Sequence, residues 1–534
     1  MSEAHIPKPR RIAGVTVPLF SLRSARSWGI GEIGDLPDFA SFARAAGLRL
    51  VQILPLGEIS GGETSPYSAL SAFGIDPMFL SMALLRDLEG ESAGLGDAGA
   101  VLLMRARASA SVDYEAVRAL KREAIGQAFR RFHEHEIKHG TARAHELAAF
   151  RAAHADWLDD YALFRALKDA HGGSAWWEWS EPLQRRDPAA LAEASRRLEE
   201  GVLAHAYTQW IAHAQWADAR ARLAASGVEI MGDLPFMVGR DSSDVWAHQE
   251  EFRVDCSVGC PPDAFSEEGQ EWGLPPYHWE RMRANGYAWL RRRARYTASL
   301  YDRFRIDHLV GFYRTYMRPV AGLRDAKGRL VKGSFDPVEE LEQLAHGERV
   351  IGAMLAGAKG AGAQLIAEDL GVIPDFVRRS LAALGVPGYK VLIWEKDGEV
   401  FRDPAKFPVV SLACFGTHDT SPVAAWWEAL SREEREAVKK LPLVAPHARE
   451  LGSTFTPTVH RALLTQICAA GSELVLLLLQ DVLGTRDRIN TPGTTTAANW
   501  TYRLPAPVED LARDPAVMAA MATVRECLDD SGRS

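Results

Sequence analysis

Eight short apolar segments recur along the chain, and each ends in polar or acidic residues. They are rich in Val, Ile and Leu and have the length of strands buried on both faces, which is typical of a parallel sheet. They read GVTVPLF (14–20), LRLVQILPLGE (48–58), VEIMGDLP (228–235), DRFRIDH (302–308), AQLIAEDLG (363–371), YKVLIWE (389–395), VVSLACFGTHD (409–419) and ELVLLLLQD (473–481). Helical patterns lie between them, for example DFVRRSLAALG, which opens at Asp375 and closes at Gly385.

Eight strands that alternate with helices predict an α/β fold of the (β/α)₈, or TIM-barrel, class. On periodicity alone, a doubly wound open sheet is the main alternative. No glycine-rich dinucleotide fingerprint follows any of the eight segments, and this lowers the open-sheet alternative.

The uneven spacing of the segments predicts insertions in the barrel. We expect the barrel to comprise residues 1–58 and 228–534, and residues 59–227 to form a mainly helical inserted subdomain. A second insertion, 236–301, contains the stretch CSVGCPPDAFSEEGQEWGLPPYHW, which is dense in Pro, Gly and aromatic residues. A long irregular stretch of this kind is more typical of a substrate-binding loop than of a spacer.

Composition excludes some classes of function. The net charge of −8 disfavours a nucleic-acid binder, and the densest basic run, RRRAR at 291–295, is interpreted as the solvated face of a helix. Five cysteines, with no second pair or His cluster at metal-ligand spacing, predict a reducing compartment and no metal site. The first fifteen residues lack the apolar core of a signal peptide, and the longest apolar run, LVLLLL, is too short to span a bilayer. We therefore expect a cytoplasmic protein without a membrane or nucleic-acid partner.

Four of the predicted strands end in acids, namely Asp233, Asp307, Glu368 and Asp419. One such acid is usually a helix cap or a solvated loop residue, but four should converge at the mouth of a barrel, where the chemistry of this fold takes place. Crowded carboxylates repel one another, so the pKa of at least one should rise. A protonated acid beside an ionised carboxylate is the arrangement that glycosidic chemistry requires.

The neighbours of these acids suit such a site. Arg305 lies two residues before Asp307, hence on the same side of the strand, where its charge would keep Asp307 ionised. His308 and His418 could donate hydrogen bonds to sugar hydroxyls, or could serve only as structural partners of the adjacent acids.

Two aromatic residues are candidates for stacking on sugar rings. Trp272 in QEWGLP and Tyr67 in TSPYSALSAFG lie in loops rich in Pro and Gly, where packing into a core is less expected. The cluster AWWEWSEPLQ at 175–184 offers further aromatics, but aromatic residues more often belong to the core.

Seven motifs are distributed over nearly the whole chain: SPYSALSAFGIDP, WLDDYALF, GDLPFMVGRDSSDVWA, PPDAFSEEGQEWGLPPY, RIDH, IAEDLG and GTHDT. In order and spacing they resemble those of the amylomaltases, the 4-α-glucanotransferases or disproportionating enzymes of the α-amylase superfamily. The resemblance implies transfer of α-1,4-glucan segments between maltodextrins, or to glucose as acceptor, by a retaining double displacement. It implies that neither a metal nor an organic cofactor is needed.

Roles carry over from the matching motifs. The resemblance implies that Asp307 is the nucleophile, that Glu368 is the acid and then the base, and that Asp419 binds the reactive sugar and stabilises the transition state. Asp369 is expected to fix the turn after the strand. The remaining candidates for substrate binding or support of the acids are Tyr67, Asp233, Asp263, Trp272, Arg305, His308, His418 and, in the segment INTPG, Asn490 and Pro492.

Two stretches depart from the common family pattern. Thr420, Ser421 and Pro422 follow GTHD directly, and Leu309 and Val310 follow RIDH. Both changes flank the acids, so they leave the donor length and the choice of acceptor open.

The sequence patterns also bear on other functions. An α-glucan hydrolase on the same scaffold would use the same acids, and a non-catalytic glycan-binding protein would arise only if an acid were lost. The intact triad of Asp307, Glu368 and Asp419 argues against the binding protein, and the missing phosphate fingerprint argues against an oxidoreductase. The oligomeric state is not predicted.

Overall fold

A computed structural model describes residues 11–88, 95–262 and 267–533. Its centre is a closed barrel of eight parallel strands. They are β1 (Ile12–Thr16), β2 (Leu50–Gln52), β3 (Glu229–Leu234), β4 (Arg303–Ile306), β5 (Gln364–Ala367), β6 (Gly388–Val391), β7 (Ser411–Cys414) and β8 (Leu474–Leu478).

The barrel closes because β1 pairs with β8 along its whole length, from Ile12 opposite Leu474 to Thr16 opposite Leu478. Each strand otherwise pairs with its neighbours in the sequence. The predicted (β/α)₈ barrel is therefore confirmed, and the open-sheet alternative is wrong. Strand β6 is offset from β5, since Gly388 pairs with Ala367 at the last position of β5.

Most of the strands are apolar because both of their faces are covered, whereas β4 alternates Arg303 and Arg305 with apolar residues. Side chains on one face fill the barrel interior, and those on the other face pack under the helices. The interior cluster consists of Ile12, Leu50, Met231, Ile366, Tyr389, Val391, Leu412, Cys414, Leu474 and Leu476.

Helices cover the outside of the barrel and fill its long connections. The first, α1 (Leu36–Ala45), joins β1 to β2. Between β2 and β3 lie α2 (Gly96–Ala108), α3 (Tyr114–Phe132), α4 (Ala142–Ala153), α5 (Ala155–Ala170), α6 (Glu181–Gln184), α7 (Pro188–Arg197) and α8 (Glu199–Ala225). Helix α8 packs against α5 and also against α1 and β3, so the long connection is tied to the barrel. Its separation as a subdomain remains a prediction.

The second half of the barrel carries the remaining helices. They are α9 (Ser243–Ala247), α10 (Trp279–Ala284), α11 (Ala288–Leu300), α12 (Glu340–Ala358), α13 (Asp375–Leu384), α14 (Val423–Ala429), α15 (Arg432–Val438), α16 (Pro457–Cys468), α17 (Leu479–Leu483), α18 (Val508–Leu511) and α19 (Pro515–Asp530). In α13, Gly385 takes the left-handed conformation that ends the helix, whereas Pro374 holds the N-cap position and Asp375 begins the first turn.

Residues 236–301 are more regular than a loop. They contain α9 to α11 and two strands, Cys256–Cys260 and Gln270–Glu271, of a small antiparallel sheet that is completed by Thr315–Pro319 and Ser334–Asp336 after β4. The irregular part of the region is thus confined to the stretches between these elements.

Within α11, the basic run is only partly solvated. The side chain of Arg293 is buried and donates hydrogen bonds to the carbonyl oxygens of Pro235 (2.7 Å) and Phe236 (3.2 Å) and to the hydroxyl of Tyr277 (2.8 Å). The interpretation as a solvated face is therefore wrong for Arg293, which satisfies backbone acceptors just after β3.

The state of the cysteines and the apolar character of the helices can also be read from the structure. The five cysteines are free thiols. Among the residues described, we find no helix with the length and apolar character needed to cross a membrane.

Candidate active site

Asp307 and Glu368 lie directly at the C-terminal ends of β4 and β5. The backbone N–H of Asp307 donates to the carbonyl of Leu234 (3.0 Å), and that of Glu368 donates to the carbonyl of Ile306 (3.0 Å). Both acids therefore continue the hydrogen-bond pattern of the barrel, which places them on its rigid rim rather than on a free loop.

Arg305 connects two of the acids. Its Nη1 donates to both carboxylate oxygens of Asp233 (2.8 Å each), and its Nη2 pairs with Oδ1 of Asp307 (2.8 Å). The side chain of Arg305 is 5% exposed and that of Asp233 is 0% exposed, whereas Asp307 is 26% exposed. Asp233 is therefore sealed beneath the site, while Asp307 can be reached from the cleft.

Burial raises the pKa of Asp233, and the opposing charge of Arg305 counteracts that effect. A guanidinium stays charged even when it is buried, so Arg305 is the permanent cation of this cluster. Its Nη2 makes Asp307 an ion-pair partner of this cation.

Glu368 has a different environment. Burial raises its pKa to about 8; the charge of Arg305 opposes this rise, and the negative charge of Asp307 adds to it. Its Oε2 accepts a hydrogen bond from the backbone N–H of His308 (2.8 Å), which orients the carboxyl group. At neutral pH Glu368 is thus mainly a protonated acid held close to a carboxylate.

His308 forms part of the wall beside Glu368. Its backbone has a positive φ of 44°, and its ring meets Trp272 edge-to-face, with 4.9 Å between ring centres, and Phe236 at 5.3 Å. Burial lowers the pKa of His308 to about 4, so the imidazole is neutral. Trp272 is half-buried, and its indole N–H donates to Oε1 of Gln270 (3.0 Å).

Tyr67 joins the buried acids to β7. Its hydroxyl donates to Oδ2 of Asp233 (2.8 Å) and lies 3.0 Å from Nε2 of His418. The rings of Tyr67 and His418 stack with 5.8 Å between their centres, and Trp500 packs against both. The hydroxyl of Tyr67 therefore has a positioning contact, and its ring already packs against His418 and Trp500. Stacking of Tyr67 on a sugar ring remains a prediction.

Asp419 lies in the turn that follows β7 rather than at the end of the strand, and 38% of its side chain is exposed. Its Oδ1 accepts a hydrogen bond from Nδ2 of Asn490 (2.7 Å), and its Oδ2 lies 3.5 Å from Nε2 of His418. Arg488 donates to the backbone carbonyl of Asp419 (2.7 Å). These contacts orient the carboxylate and leave it accessible from solvent.

The two departures from the family pattern build the turns that carry the acids. The hydroxyl of Thr420 accepts from the backbone N–H of Thr417 (3.0 Å) and donates to its carbonyl (3.0 Å), which closes the turn around Asp419. Leu309 is fully buried, and its N–H donates to the carbonyl of Glu368 (3.2 Å). Thr420 and Leu309 therefore help to hold the acids in place.

Three other expected positions have separate outcomes. Asp369 does more than fix its own turn, because its Oδ1 accepts from the backbone N–H of Tyr389 (2.7 Å) and so links β5 to the start of β6. Pro492 is exposed, and its neighbour Asn490 is the residue that contacts Asp419. Asp263 lies outside the described residues.

Sequence reasoning missed three contributors to this region. Arg488 and Trp500 contact the cluster from the segment after β8, and no local pattern distinguishes them. Gln52, at the end of β2, accepts from the hydroxyl of Thr16 (2.7 Å) in the barrel interior. A polar residue inside an otherwise apolar strand was the available signal for Gln52.

Several known proteins are similar to this chain over nearly its whole length. A family model described as 4-alpha-glucanotransferase matches residues 17–509. A 4-alpha-glucanotransferase of Thermus thermophilus is 34% identical over 516 residues, which cover 94% of this chain and 96% of the relative. A 4-alpha-glucanotransferase of Synechocystis is 33% identical over 508 residues, which cover 92% and 94% of the two chains.

A solved structure is similar over the full length. The amylomaltase from Streptococcus agalactiae in complex with acarbose superposes with a TM-score of 0.83 at 26% identity, covering 98% of this chain and 100% of that one. The chain therefore belongs to the 4-alpha-glucanotransferase family.

Proposed function

We propose that this 4-alpha-glucanotransferase works by a retaining double displacement in which Asp307 is the nucleophile and Glu368 the acid and base. The observation that carries the assignment is the contrast between the two carboxyl groups. Asp307 is paired with the buried guanidinium of Arg305, whereas the pKa of Glu368 is raised to about 8, first by burial. Two adjacent carboxyls in opposite protonation states are what a retaining mechanism needs.

In the first step, the carboxylate of Asp307 attacks the anomeric carbon of the donor glucan. The glycosidic C–O bond breaks, and Glu368 gives its proton to the departing oxygen. The product is a glucosyl ester on Asp307 with inverted configuration, together with a free shortened glucan.

In the second step, the ionised Glu368 removes a proton from a hydroxyl of the acceptor sugar. That oxygen attacks the anomeric carbon, and the ester bond to Asp307 breaks. The α-linkage is restored, and Glu368 is again protonated. The acceptor hydroxyl is bound in the place that the leaving oxygen had occupied.

The other residues support this exchange. Asp419 is open to the cleft and held by Asn490, which suits it to bind hydroxyls of the reactive sugar and to stabilise positive charge at the transition state. Asp233 is sealed, with its oxygens occupied by Arg305 and Tyr67, so its proposed role is to position Arg305 rather than to touch the glucan.

We assign α-1,4-glucans of the maltodextrin type as donors and glucose or a maltodextrin as acceptor. The half-buried Trp272 and its loop next to His308 would cover the intermediate and favour a sugar hydroxyl over water. A hydrolase would use the same acids, but neither the family nor the relatives favour it. Five free thiols are compatible with a reducing, cytoplasmic setting in maltodextrin or glycogen metabolism, and this placement is also a proposal.

Incubation of the purified protein with maltotriose tests the function. We expect a series of longer maltodextrins together with glucose, while the total number of reducing ends stays constant. A rise in reducing ends with only shorter products would mean that water takes the place of the acceptor, and the hydrolase would then be the correct assignment. The Asp307→Asn variant should make neither set of products.

A further inference from the structure

A large cavity lies in the helical region between β2 and β3, and none of the four acids of the candidate active site lines it. Its volume is about 980 Å³, and pockets for small molecules span roughly 300–1,000 Å³. The walls come from α3, from the end of α5, from α8 and from Ser60 and Gly61 in the connection after β2. The cavity is therefore large enough for a ligand of its own.

One face of α3 gives the cavity a charged end and an apolar end. Arg118, Arg122, Ile125 and Phe129 all line it. Their spacing of four, three and four residues places them along one stripe of the helix. The two arginines are one turn apart, and the two apolar side chains follow further along the helix. A ligand that fits this wall has an anionic group at one end and a body that tolerates apolar contact.

Each of the four carboxylates in the wall is already engaged by another donor, although Arg118 also acts electrostatically on Asp76 and Arg122 on Asp169. The partners are Tyr161 and Arg165 for Glu58, the backbone N–H groups of Ile59 and Met78 for Asp76, His205 for Asp169, and Lys168 for Asp241.

Arg118 is half-buried with its guanidinium over the ring of Tyr114, and Arg122 is exposed. In the described parts of the chain neither guanidinium forms an ion pair, although Arg118 Nη2 donates to the backbone carbonyl of Glu63 (2.7 Å). Guanidinium groups present paired N–H donors that match the oxygens of a phosphate. Two such groups one turn apart on one helix face have the donors that a single phosphate group requires.

We propose that this cavity binds a hexose phosphate, with the phosphate between Arg118 and Arg122. The sugar ring lies along Ile125 and Phe129, and its hydroxyl groups face the polar residues of the opposite wall, among them Thr208. A neutral glucan would offer no anionic group to the two arginines, and inorganic phosphate would leave the apolar end empty.

The cavity also has a structural connection to the acids. Ser60 and Gly61 belong to a hairpin that is held by bridges between Gly57 and Ile75 and between Ile59 and Ala69. The same hairpin carries Tyr67, whose hydroxyl binds Asp233. We infer that occupancy of the cavity changes the affinity for maltodextrin, an inference that rests on the proposed function. By linkage, maltodextrin must change the affinity for the hexose phosphate by the same factor.

Calorimetry on the full chain tests the site. The Glu368→Gln variant is first saturated with maltotriose, so that sugar fills the active site, and is then titrated separately with glucose 6-phosphate, inorganic phosphate and glucose. We expect glucose 6-phosphate to bind more tightly than either of the others. Replacement of both arginines (Arg118→Gln with Arg122→Gln) should weaken binding at least tenfold. The matched control is Arg130→Gln, on the same helix but with a side chain that is 64% exposed and outside the wall.

The possible results distinguish failure of the site, failure of the ligand assignment and failure of the proposed catalytic role. No binding of glucose 6-phosphate, or equal affinity in the double variant and the Arg130→Gln control, would overturn the site. Equal affinity for inorganic phosphate or for glucose would overturn its assignment to a hexose phosphate. Turnover of maltotriose by Glu368→Gln would refute the proposed catalytic role but would still keep the active site filled, so the calorimetric result would stand.

The connection to the acids is measured separately. Glucose 6-phosphate should change the KM for maltotriose in the wild-type enzyme but not in the double variant. An unchanged KM at saturating glucose 6-phosphate would overturn the connection.

Discussion

Deprotonation of Glu368 provides the sharpest test of the mechanism. Burial raises the pKa of this carboxyl to about 8, the nearby charge of Asp307 adds to the rise, and Arg305 opposes it. At pH 7 the protonated form then exceeds the ionised form by about ten to one, and at pH 9 the ratio is reversed. Because the first step needs a proton on Glu368, kcat/KM for maltotriose should fall about tenfold for each pH unit above about 8.

The assay compares two donors over the same pH range. Initial rates of glucose release from maltotriose should show the alkaline decline. Fluoride release from an α-maltosyl fluoride should not, because fluoride leaves without being protonated, and kcat/KM for this donor reports only the first step. Glu368→Gln should lose about 10²–10⁴-fold in kcat/KM with maltotriose and far less with the fluoride.

Two results would refute this reasoning. An alkaline decline of equal size with both donors would show that it belongs to another group or to loss of the fold. A decline with maltotriose that is centred near the ordinary pKa of a glutamate would show that Glu368 is not desolvated.

The same raised pKa has a consequence for stability. The folded pKa of about 8 lies above the ordinary value of 4.5, so the folded protein binds the proton more tightly than the unfolded chain does. The free energy of unfolding should therefore fall as the pH rises between these two values, by an upper limit on the order of 5 kcal/mol. Glu368→Gln should unfold at a higher temperature than the wild type above pH 8 and at the same temperature near pH 4.5. Glu433→Gln, at an exposed position on α15, should show no such difference.

Three further substitutions test the remaining assignments. Asp307→Asn should remove transfer while thermal unfolding and circular dichroism stay unchanged; near wild-type activity would refute its role as nucleophile. Tyr67→Phe removes the hydroxyl from the buried cluster. The loss of transition-state stabilisation should be about 1–3 kcal/mol, measured as a lower kcat/KM for maltotriose. An unchanged kcat/KM would mean that only the ring of Tyr67 matters. Asn490→Ala frees Oδ1 of Asp419 and should raise KM for maltotriose several-fold, whereas Pro492→Ala should not; equal effects would remove the distinction between them.

Much of the barrel can be predicted because its strands are a local property. A strand covered on both faces is mostly apolar, and this pattern is visible in most of the eight strands, although β4 alternates two arginines with Phe304 and Ile306. The acids at the strand ends are equally visible, because a carboxylate after an apolar run has few structural reasons to recur. The alternation of side chains also anticipates that Arg305 and Asp307 lie on one side of β4, where they form an ion pair.

Predictions fail where a residue is matched to a distant partner. Arg293 sits in a run of basic residues that looks solvated, but it is buried and donates to the carbonyls of Pro235 and Phe236 after β3. Arg488 has no local signal, because its function depends on the carbonyl of Asp419, which is remote in sequence. The small sheet likewise pairs strands from before and after β4, so its regularity is not visible in residues 236–301 alone.

The sequence by itself determined the class of fold, the order of the strands and the identities of the acids, because periodicity and residue type are written locally. Only the tertiary structure decided which acid is sealed, which is paired and which is protonated. Asp233, Asp307 and Glu368 have similar positions at strand ends, yet their exposure and charged neighbours differ. The physical reason is that a pKa depends on burial and on charges within a few ångströms, and these are set by barrel closure between segments far apart in the chain.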